Sequence, residues 1–432
     1  MKKTLFRYID LCVVLASVSL HAQVNITQTD AGKIFQVTIR DDTFLFDRAE
    51  YAVFIPENIE TIKGVFIHQH GCTMEGRGLS SAYDIQYQVL AKKWGLAVIG
   101  PDLYPKQRRN CFDWIEPESG SAQALLKAME IVGKTSGHME LKDAPWLLWG
   151  HSGGGYWTLA MMRDYPERII AAFVYSPAFN PRWDFPLASA KVPLMIRHAG
   201  KDDINDSVVN CWETAVNTFG KLRKMNGYAS IAYTAGQDHN FSYVRYMAIP
   251  FYESVMEQRL PDSPSDKLKD MDQSRVWLGD TASYHIMPAS ICKGNVNTMN
   301  WLPDSIIAMK WREYVITGTI IDKTPPPAPY ELQVNLVNDT IAVIKWKADA
   351  DIESGIQYFN IKIKDGQSKR FPDAGHYQRF DTNGDDTVPT NLPELACEIT
   401  KPACVKESIV FVNAVNHAGL ESSFSDIYII WP

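Results

Sequence analysis

The feature that most constrains this chain is a serine set between glycines where an apolar run ends. Residues 150–154 read Gly-His-Ser-Gly-Gly, the apolar run at 145–149 precedes them, and a helix-like segment at 157–165 follows. This order predicts a strand, a sharp turn and a helix. Only small neighbours fit such a turn, so the hydroxyl of Ser152 stands clear of the sheet while the helix N-terminus directs partial positive charge towards it. The geometry suits a nucleophile.

Short apolar segments on both sides of Ser152 predict an α/β fold. Antiparallel entry strands are predicted at 33–40 and 49–55, and buried strands at 64–68, 96–100, 169–175, 193–198 and 230–233. Helix-like stretches lie at 82–94, 121–132 and 249–258. Because buried strands alternate with helices, we expect a mostly parallel sheet with helices on both faces.

Two further signals supply the partners that a serine nucleophile needs. A serine hydroxyl reacts poorly at neutral pH unless a histidine takes its proton and a carboxylate orients that histidine. Asp202 and Asp203 follow the strand at 193–198, and His239 follows the strand at 230–233. The order Ser, Asp, His is that of α/β-hydrolases. We predict a triad of Ser152, His239 and Asp203, which lies three residues past Gly200, with Asp202 as the alternative acid.

An oxyanion formed by attack of Ser152 on a carbonyl needs two fixed N–H donors. We assign one to Gly153 at the start of the helix and the other to Cys72 in the loop after the strand at 64–68. His68 and His70 are expected to orient this loop, without a role in proton transfer. No third ligand accompanies these two histidines, so we predict neither a metal nor another cofactor.

The N-terminal residues predict export. Lys2, Lys3 and Arg7 precede an apolar run at 11–20, and residues 1–22 have the pattern of a signal peptide. Cys12 follows Leu11, a poor match to a lipoprotein cleavage site, so we expect a released periplasmic or extracellular protein rather than a lipid-anchored one. No later apolar run is long enough to predict a transmembrane segment. The net charge of −7 makes nucleic acid an improbable partner.

The cysteine content fits an exported protein. Six cysteines lie beyond the signal segment, and no Cys-x-x-Cys pair occurs: Cys72, Cys111, Cys211, Cys292, Cys397 and Cys404. An even number in this context predicts disulfides rather than a metal site. Cys397 and Cys404 are close enough in sequence to close a small loop, whereas spacing alone does not decide how the other four pair.

Composition changes divide the chain into domains. We predict a catalytic domain at 23–322, in which residues 260–322 form a C-terminal extension whose prolines interrupt any long element. The proline-rich residues 323–329 predict a stiff linker. Short strands follow at 330–432, and Trp346 together with residues 410–422 resembles the fibronectin type III module, which implies a small all-β sandwich acting as a spacer or packing partner. The acidic stretch 381–385 predicts a hairpin turn rather than a calcium loop.

A family resemblance rests on motifs around the predicted site. Residues 70–73 (His-Gly-Cys-Thr), 104–107 (Tyr-Pro-Lys-Gln) and 110–114 (Asn-Cys-Phe-Asp-Trp), together with the three triad positions, resemble the extracellular polyhydroxybutyrate depolymerases and the feruloyl and acetylxylan esterases. The resemblance covers residues 45–260. It implies an α/β-hydrolase fold, a serine esterase activity and a disulfide between Cys72 and Cys111.

The substrate prediction rests on a local cluster of cations. Lys106, Arg108 and Arg109 lie just before Cys111 in a chain of negative net charge, and such a cluster attracts carboxylates. We therefore predict a secreted esterase that acts on a polymer, namely on methyl, acetyl or feruloyl esters of a plant-type acidic polysaccharide, and that can associate with a surface. Phe112 and Trp114 are candidates for stacking on sugar rings, and at least one of them is expected to pack under the loop instead. Polyester depolymerase and peptidase are the alternative enzymes, and a non-catalytic secreted binding protein is the alternative of another class.

Overall fold

The computed structural model describes residues 24–72, 77–106, 111–199, 210–234, 239, 243–364, 366–378 and 394–432. The predicted signal peptide, Asp202, Asp203, Arg108, Arg109 and the acidic stretch 381–385 lie outside these residues. Among the helices that the structure describes, none has the length and apolar character needed to cross a bilayer.

A nine-stranded sheet organises the described residues between 24 and 234. Its strands are β1 (Val24–Gln28), β2 (Gly32–Ile39), β3 (Arg48–Pro56), β4 (Gly64–Gln69), β5 (Leu96–Tyr104), β6 (Trp146–His151), β7 (Ile169–Tyr175), β8 (Leu194–Ala199) and β9 (Ala229–Thr234). Their spatial order is β1-β2-β3-β5-β4-β6-β7-β8-β9. The first three strands are antiparallel and β4 to β9 are mutually parallel, as expected. This is the α/β-hydrolase fold.

Helices cover both faces of this sheet. They are α1 (Ile85–Trp94), α2 (Ser121–Ser136), α3 (Gly153–Asp164), α4 (Cys211–Lys224), α5 (Arg245–Arg259) and α6 (Ser305–Thr317). One apolar core joins the sheet to α2, α3 and α4, and a second joins it to α1, α5 and α6. Neighbouring strand residues such as Leu147 and Leu148 belong to different cores, because successive side chains of a strand point to opposite faces.

The helix predicted at 82–94 begins later than expected. Residues 78–83 form a 3₁₀ segment, and α1 starts after Asp84, whose carboxylate accepts hydrogen bonds from the backbone nitrogens of Gln86 and Tyr87. This is an N-cap, so the start of the helix is fixed by side-chain chemistry rather than by apolar periodicity. At the other end Gly95 takes φ 71°, a left-handed conformation that glycine adopts without strain.

Residues 260–320 contain more regular structure than the sequence predicts. Strands β10 (Trp277–Gly279), β11 (Ile286–Pro288) and β12 (Asn300–Leu302) form a small sheet, and α6 has 13 residues despite the prolines nearby. Pro303 does not interrupt α6, because it precedes the N-cap residue Asp304. The segment covers the outer strand β9: Ile231 donates its N–H to the Asn300 side chain at 2.6 Å, and its carbonyl accepts from the Trp311 indole at 3.0 Å.

The C-terminal residues form two antiparallel sheets around a separate core. Strands β13 (Tyr330–Asn338), β14 (Ile341–Lys347) and β17 (Ala396–Thr400) make one sheet, and β15 (Tyr358–Ile363), β16 (Ser368–Phe371), β18 (Glu407–Val415) and β19 (Ser425–Ile430) make the other. An all-β unit of this kind was expected. Its relation to the fibronectin type III module, and the exact domain boundaries, remain predictions.

This all-β unit packs against α1 of the first domain. Ile85 belongs to its apolar core, and Lys92 forms an ion pair with Asp349 at 2.8 Å. The Gln378 amide donates to Asp84 at 3.3 Å, and Asp84 also pairs with the buried Arg245 at 2.9 Å. The residue that caps α1 therefore also bonds to the C-terminal unit.

A buried carboxylate pair at the same junction makes stability depend on pH. Asn416 donates from its amide nitrogen to Asp322 at 2.9 Å and to Asp351 at 2.8 Å. Burial, reinforced by the charge of Asp322, raises the pKa of Asp351 from 3.8 to about 7. Because the folded state then binds a proton that the unfolded chain releases, stability should fall as pH rises from about 4 to about 7 and level off above.

Thermal unfolding measured across this pH range tests the prediction. The Asp351→Asn variant, which lacks the titrating group, should lose much of the decrease in unfolding temperature. Asp339→Asn, in an exposed turn, is the matched control and should show the same decrease in unfolding temperature as wild type. If the unfolding temperatures of wild type and Asp351→Asn depend on pH equally, Asp351 is not the titrating group.

Candidate active site

Ser152 occupies the turn between β6 and α3 in a strained conformation. Its φ of 53° and ψ of −116° lie where residues other than glycine are rarely found. Its N–H donates to the Tyr175 carbonyl at 3.2 Å, and its carbonyl accepts from Tyr156 at 3.1 Å and Ala178 at 2.9 Å. The surrounding backbone therefore holds the strain in place, as expected for a residue whose position matters for function. Ser152 is also partly exposed, so its side chain is accessible.

The flanking glycines permit close approach of backbone segments. A Cβ on Gly154 would lie 2.3 Å from the carbonyl oxygen of His70 and 2.4 Å from that of Gln69. A Cβ on Gly150 would lie 2.2 Å from the carbonyl oxygen of Gly154. Both positions exclude a side chain, so the first turn of α3 packs directly against the loop after β4.

The predicted oxyanion donors come from segments that lie side by side. A Cβ on Gly153 would lie 3.5 Å from the backbone nitrogen of Cys72, and one on Gly71 would lie 3.4 Å from the Ser152 Cβ. Gly153 is the first residue of α3, where backbone N–H groups have no partner within the helix. The structure thus brings Cys72 and Gly153 together at the serine, and their role as donors remains a prediction.

A disulfide between Cys72 and Cys111 ties this loop to the segment after β5, as the family resemblance implied. The other cysteines that the structure describes form no disulfide: Cys211, Cys292, Cys397 and Cys404. The small loop considered for Cys397 and Cys404 is therefore not closed. Cys397 lies within β17, where its thiol donates to the Glu398 carbonyl at 3.4 Å, and Cys404 lies in the turn beyond at φ 61°.

We expect loss of this disulfide to lower both stability and activity. Its half-cystines are 39 residues apart, so the chain-entropy estimate for a loop of this length is roughly 3–4 kcal/mol. Activity should fall as well, because the loop that carries Cys72 is then held less firmly beside Gly153. Denaturant unfolding and esterase assays of Cys72→Ser/Cys111→Ser measure both effects. Cys397→Ser/Cys404→Ser is the matched control and should match wild type in both stability and activity.

His68 and His70 are buried at the base of the oxyanion loop. His70 Nε2 accepts from the Leu103 N–H at 3.1 Å, so its Nδ1 carries the proton and donates to the Gly71 carbonyl at 2.6 Å. His68 stacks on Trp149 with ring centroids 5.0 Å apart. These contacts fit the expected role of orienting the loop.

His239 lies beside the serine turn. Its ring centroid is 4.8 Å from that of His151, and its carbonyl accepts from His151 Nε2 at 3.3 Å. His151 in turn stacks flat on Tyr175 at 4.1 Å. The residue directly before the nucleophile therefore connects the predicted base to the central sheet.

Cys211 is a second neighbour of His239 that sequence reasoning missed. The buried sulfur at the start of α4 lies 3.8 Å from His239 Nδ1, and its thiol donates to the Ser176 carbonyl at 3.2 Å. This contact lies on the side of the imidazole that an orienting group occupies in a triad. No spacing or motif pointed to Cys211, because the contact depends on how α4 packs.

The predicted acid segment begins at the same edge of the sheet. Strands β6, β7, β8 and β9 are parallel and in register, so their carboxyl ends meet. Asp202 and Asp203 follow the end of β8, but both lie outside the described residues. The choice between them remains a prediction.

The structure corrects the prediction for Trp114. Its side chain is 0% exposed and packs against His70 at 5.2 Å between ring centroids, so it is not available to a substrate. Two residues earlier Phe112 is 61% exposed. Lys106, of the predicted cation cluster, donates its ammonium group to the Phe44 carbonyl at 2.8 Å. Arg108 and Arg109 lie outside the described residues, so their role in substrate binding remains a prediction.

One group of carboxylates lies apart from the serine. Oxygen atoms of Asp322, Asp351 and Glu353 lie within 4.8 Å of one another, a spacing compatible with a cation. Two of the three carboxylates already accept hydrogen bonds from the Asn416 amide. The group lies at the junction with the C-terminal unit, so we assign it no part in the candidate active site.

Comparison with known proteins gives structural similarities but no family. No protein-family model and no curated protein matches the sequence. Among solved structures, a poly(aspartic acid) hydrolase from Sphingomonas sp. KT-1 is 16% identical, with 47% of this chain and 93% of that chain covered and a TM-score of 0.36. An S-formylglutathione hydrolase from Agrobacterium tumefaciens is 16% identical, with 54% and 97% covered and a TM-score of 0.38. A methylesterase is 14% identical, with 54% and 56% covered and a TM-score of 0.37.

Proposed function

We propose that this chain is an exported serine esterase that hydrolyses esters carried by a polysaccharide. The observation that carries the proposal is the backbone of Ser152, which is held at positive φ between β6 and α3 with the Cys72 loop against Gly153. Packing gains nothing from a strained, accessible serine at a helix N-terminus, whereas acyl transfer requires one.

In the proposed reaction Ser152 Oγ attacks the ester carbonyl while His239 takes its proton. Negative charge develops on the carbonyl oxygen, and the N–H groups of Cys72 and Gly153 are the proposed donors to it. Collapse of the tetrahedral intermediate expels the alcohol, which receives the proton from His239, and leaves an acyl group on Ser152. Water activated by His239 then releases the acid and restores the enzyme. Asp203 is the proposed group that orients His239.

The first experiment separates an esterase from a non-catalytic binding protein. The proposal expects turnover of p-nitrophenyl acetate and covalent labelling by a fluorophosphonate, and both should disappear in Ser152→Ala. Absence of turnover and labelling in the wild-type protein would favour the binding protein. A peptidase or polyester depolymerase would instead prefer peptide or polyhydroxybutyrate substrates over acetylated xylan and esterified polyuronate.

The second experiment addresses the acidic polysaccharide. If Arg108 and Arg109 attract carboxylates, then turnover of methyl-esterified polyuronate should fall at high salt and in Arg108→Ala/Arg109→Ala, because screening and charge removal weaken the same attraction. Turnover of neutral acetylated xylan should change little. Indifference of the polyuronate reaction to salt and to both arginines would exclude the acidic substrate while leaving the esterase intact.

A further inference from the structure

Four aromatic side chains form a continuous row near the Ser152 turn. Phe112 and Phe179 have ring centroids 4.6 Å apart, Phe179 and Tyr156 are 6.4 Å apart, and Tyr156 and Trp183 are 5.9 Å apart. We call these four residues the aromatic strip. They come from three different segments of the chain, so their contiguity is a product of the fold.

Each segment of the strip is joined to the serine turn. Phe112 follows Cys111, whose disulfide partner Cys72 lies against Gly153. Phe179 follows Ala178, whose N–H donates to the Ser152 carbonyl at 2.9 Å. Tyr156 lies in the first turn of α3 and donates its N–H to the same carbonyl at 3.1 Å. The three segments that carry the strip are therefore anchored at the serine turn.

Two members of the strip have unusual features, one in its exposure and the other in its backbone. Phe112 is 61% exposed, so its ring contributes little to the core. Phe179 has φ 63°, which is unfavourable for a bulky side chain, and its ring contacts both Phe112 and the apolar core. An exposed aromatic ring beside a residue with a strained backbone, near the proposed nucleophile, indicates a surface that binds a ligand.

The far end of the strip is fixed by a carboxylate. Glu116 accepts from the Trp183 indole at 3.3 Å, and it also accepts from the Tyr156 hydroxyl. Arg163 bonds to Glu116 at 3.3 Å and lies over the Trp183 ring at 4.7 Å. Burial, with Glu116 nearby, raises the pKa of Tyr156, so this phenol remains a donor. The rings of Tyr156 and Trp183 are therefore held in place before any ligand arrives.

The rim of the strip is polar and open to solvent. Lys221 donates to the Trp183 carbonyl at 3.0 Å and pairs with Asp184, whose side chain is 91% exposed. The Asn217 amide donates to the Asn180 side chain at 3.3 Å. An apolar ring face with hydroxyls around its edge matches such a surface, whereas an aromatic acyl group is better suited to an enclosed apolar slot.

We propose that the aromatic strip binds a sugar ring of the substrate, stacked on Phe112 and bordered by Phe179, while the ester that this sugar carries reaches Ser152. The inference rests on the proposed function and specifies the alcohol side of the ester as a saccharide. The two phenylalanine rings are tilted by 44° to each other, so the C–H face of a pyranose would lie on Phe112 with one edge against Phe179 and its hydroxyls directed to the polar rim.

Direct binding tests this inference without relying on turnover. Calorimetric titration of an acetylated xylo-oligosaccharide into Ser152→Ala protein should give a Kd that rises about 3- to 10-fold when Phe112→Ala is added, a stacking contribution of ordinary size. Phe112→Trp should retain binding. Phe179→Gly should weaken it, although glycine accepts the positive φ. The matched control is Tyr428→Ala, which removes a ring that is 69% exposed on β19 and should leave the Kd unchanged.

The outcomes separate this inference from the proposed function. An unchanged Kd in Phe112→Ala and Phe179→Gly, or no binding of the oligosaccharide, overturns the inference, while hydrolysis of ethyl acetate by the wild-type protein would still support an esterase. Weaker binding of methyl ferulate but not of the oligosaccharide also overturns it, in favour of an aromatic acyl group. If no ester is hydrolysed but Phe112→Ala weakens oligosaccharide binding, then the strip stands and the proposed function fails.

Discussion

Replacement of Ser152 by alanine should reduce ester hydrolysis by roughly 10⁴- to 10⁶-fold, the range measured when a member of a serine triad is removed. The fold should survive, because alanine takes the same backbone path and the turn is held by the backbone bonds to Tyr175, Tyr156 and Ala178. Steady-state kinetics with p-nitrophenyl acetate and thermal unfolding measure the two properties. Ser265→Ala, an exposed serine in the extension, is the control and should retain full activity.

The joint action of Ser152 and His239 gives the same prediction a second test. If the imidazole takes the serine proton, then His239→Ala and Ser152→Ala disable one step, and the double variant should be no slower than the slower single variant. Independent contributions would instead multiply. A double variant far slower than either single variant would contradict the shared role, and a fully active His239→Ala would remove His239 from the mechanism.

Gly154→Ala should destabilise the protein by about 3 kcal/mol, at the upper end of ordinary overpacking, and should also lower activity. The added methyl group meets carbonyl oxygens of His70 and Gln69 at 2.3 Å and 2.4 Å, and backbone cannot rotate away as a flexible side chain can. The start of α3 must then shift from the loop that carries Cys72. Denaturant unfolding and kcat report the two consequences.

The matched control for this substitution is Gly220→Ala in α4. Among the described residues, no atom beyond the adjoining backbone of α4 and the two chain neighbours lies within 4 Å of a Cβ at Gly220, and alanine favours a helix over glycine, so this variant should gain up to about 1 kcal/mol. Equal stability of the two variants would show that the first turn of α3 is not tightly packed against the loop after β4.

Local patterns predicted the parts of this molecule that local chemistry determines. The apolar runs gave the parallel strands, and the glycines around Ser152 predicted the turn because no bulkier residue fits between α3 and the His70 loop. Asp84 caps α1, whose start apolar periodicity placed too early. Asp304 caps α6, a helix that apolar periodicity did not reveal. Such caps have a recognisable side-chain chemistry, so both helix starts are predictable from the sequence.

The neighbours of His239 and the burial of Trp114 could not be predicted from local sequence patterns. Cys211 meets His239 only because α4 packs beside β8, and the two residues are 28 positions apart. Trp114 and Phe112 lie two positions apart in one short segment, yet one is buried and the other exposed. Which ring turns inward depends on the disulfide at Cys111 and the path of the chain around it, and periodicity does not report on either.

The segment at 260–320 that covers β9 limits where this chain can be truncated. The family resemblance ends near residue 260, which makes a truncation there an attractive design for a smaller catalytic fragment. Such a fragment would lack Asn300 and Trp311, and the N–H and carbonyl groups of Ile231 would become an open strand edge. Open edges recruit other chains, so the truncated protein should be prone to self-association. A soluble fragment therefore has to extend at least through Thr317, where α6 ends.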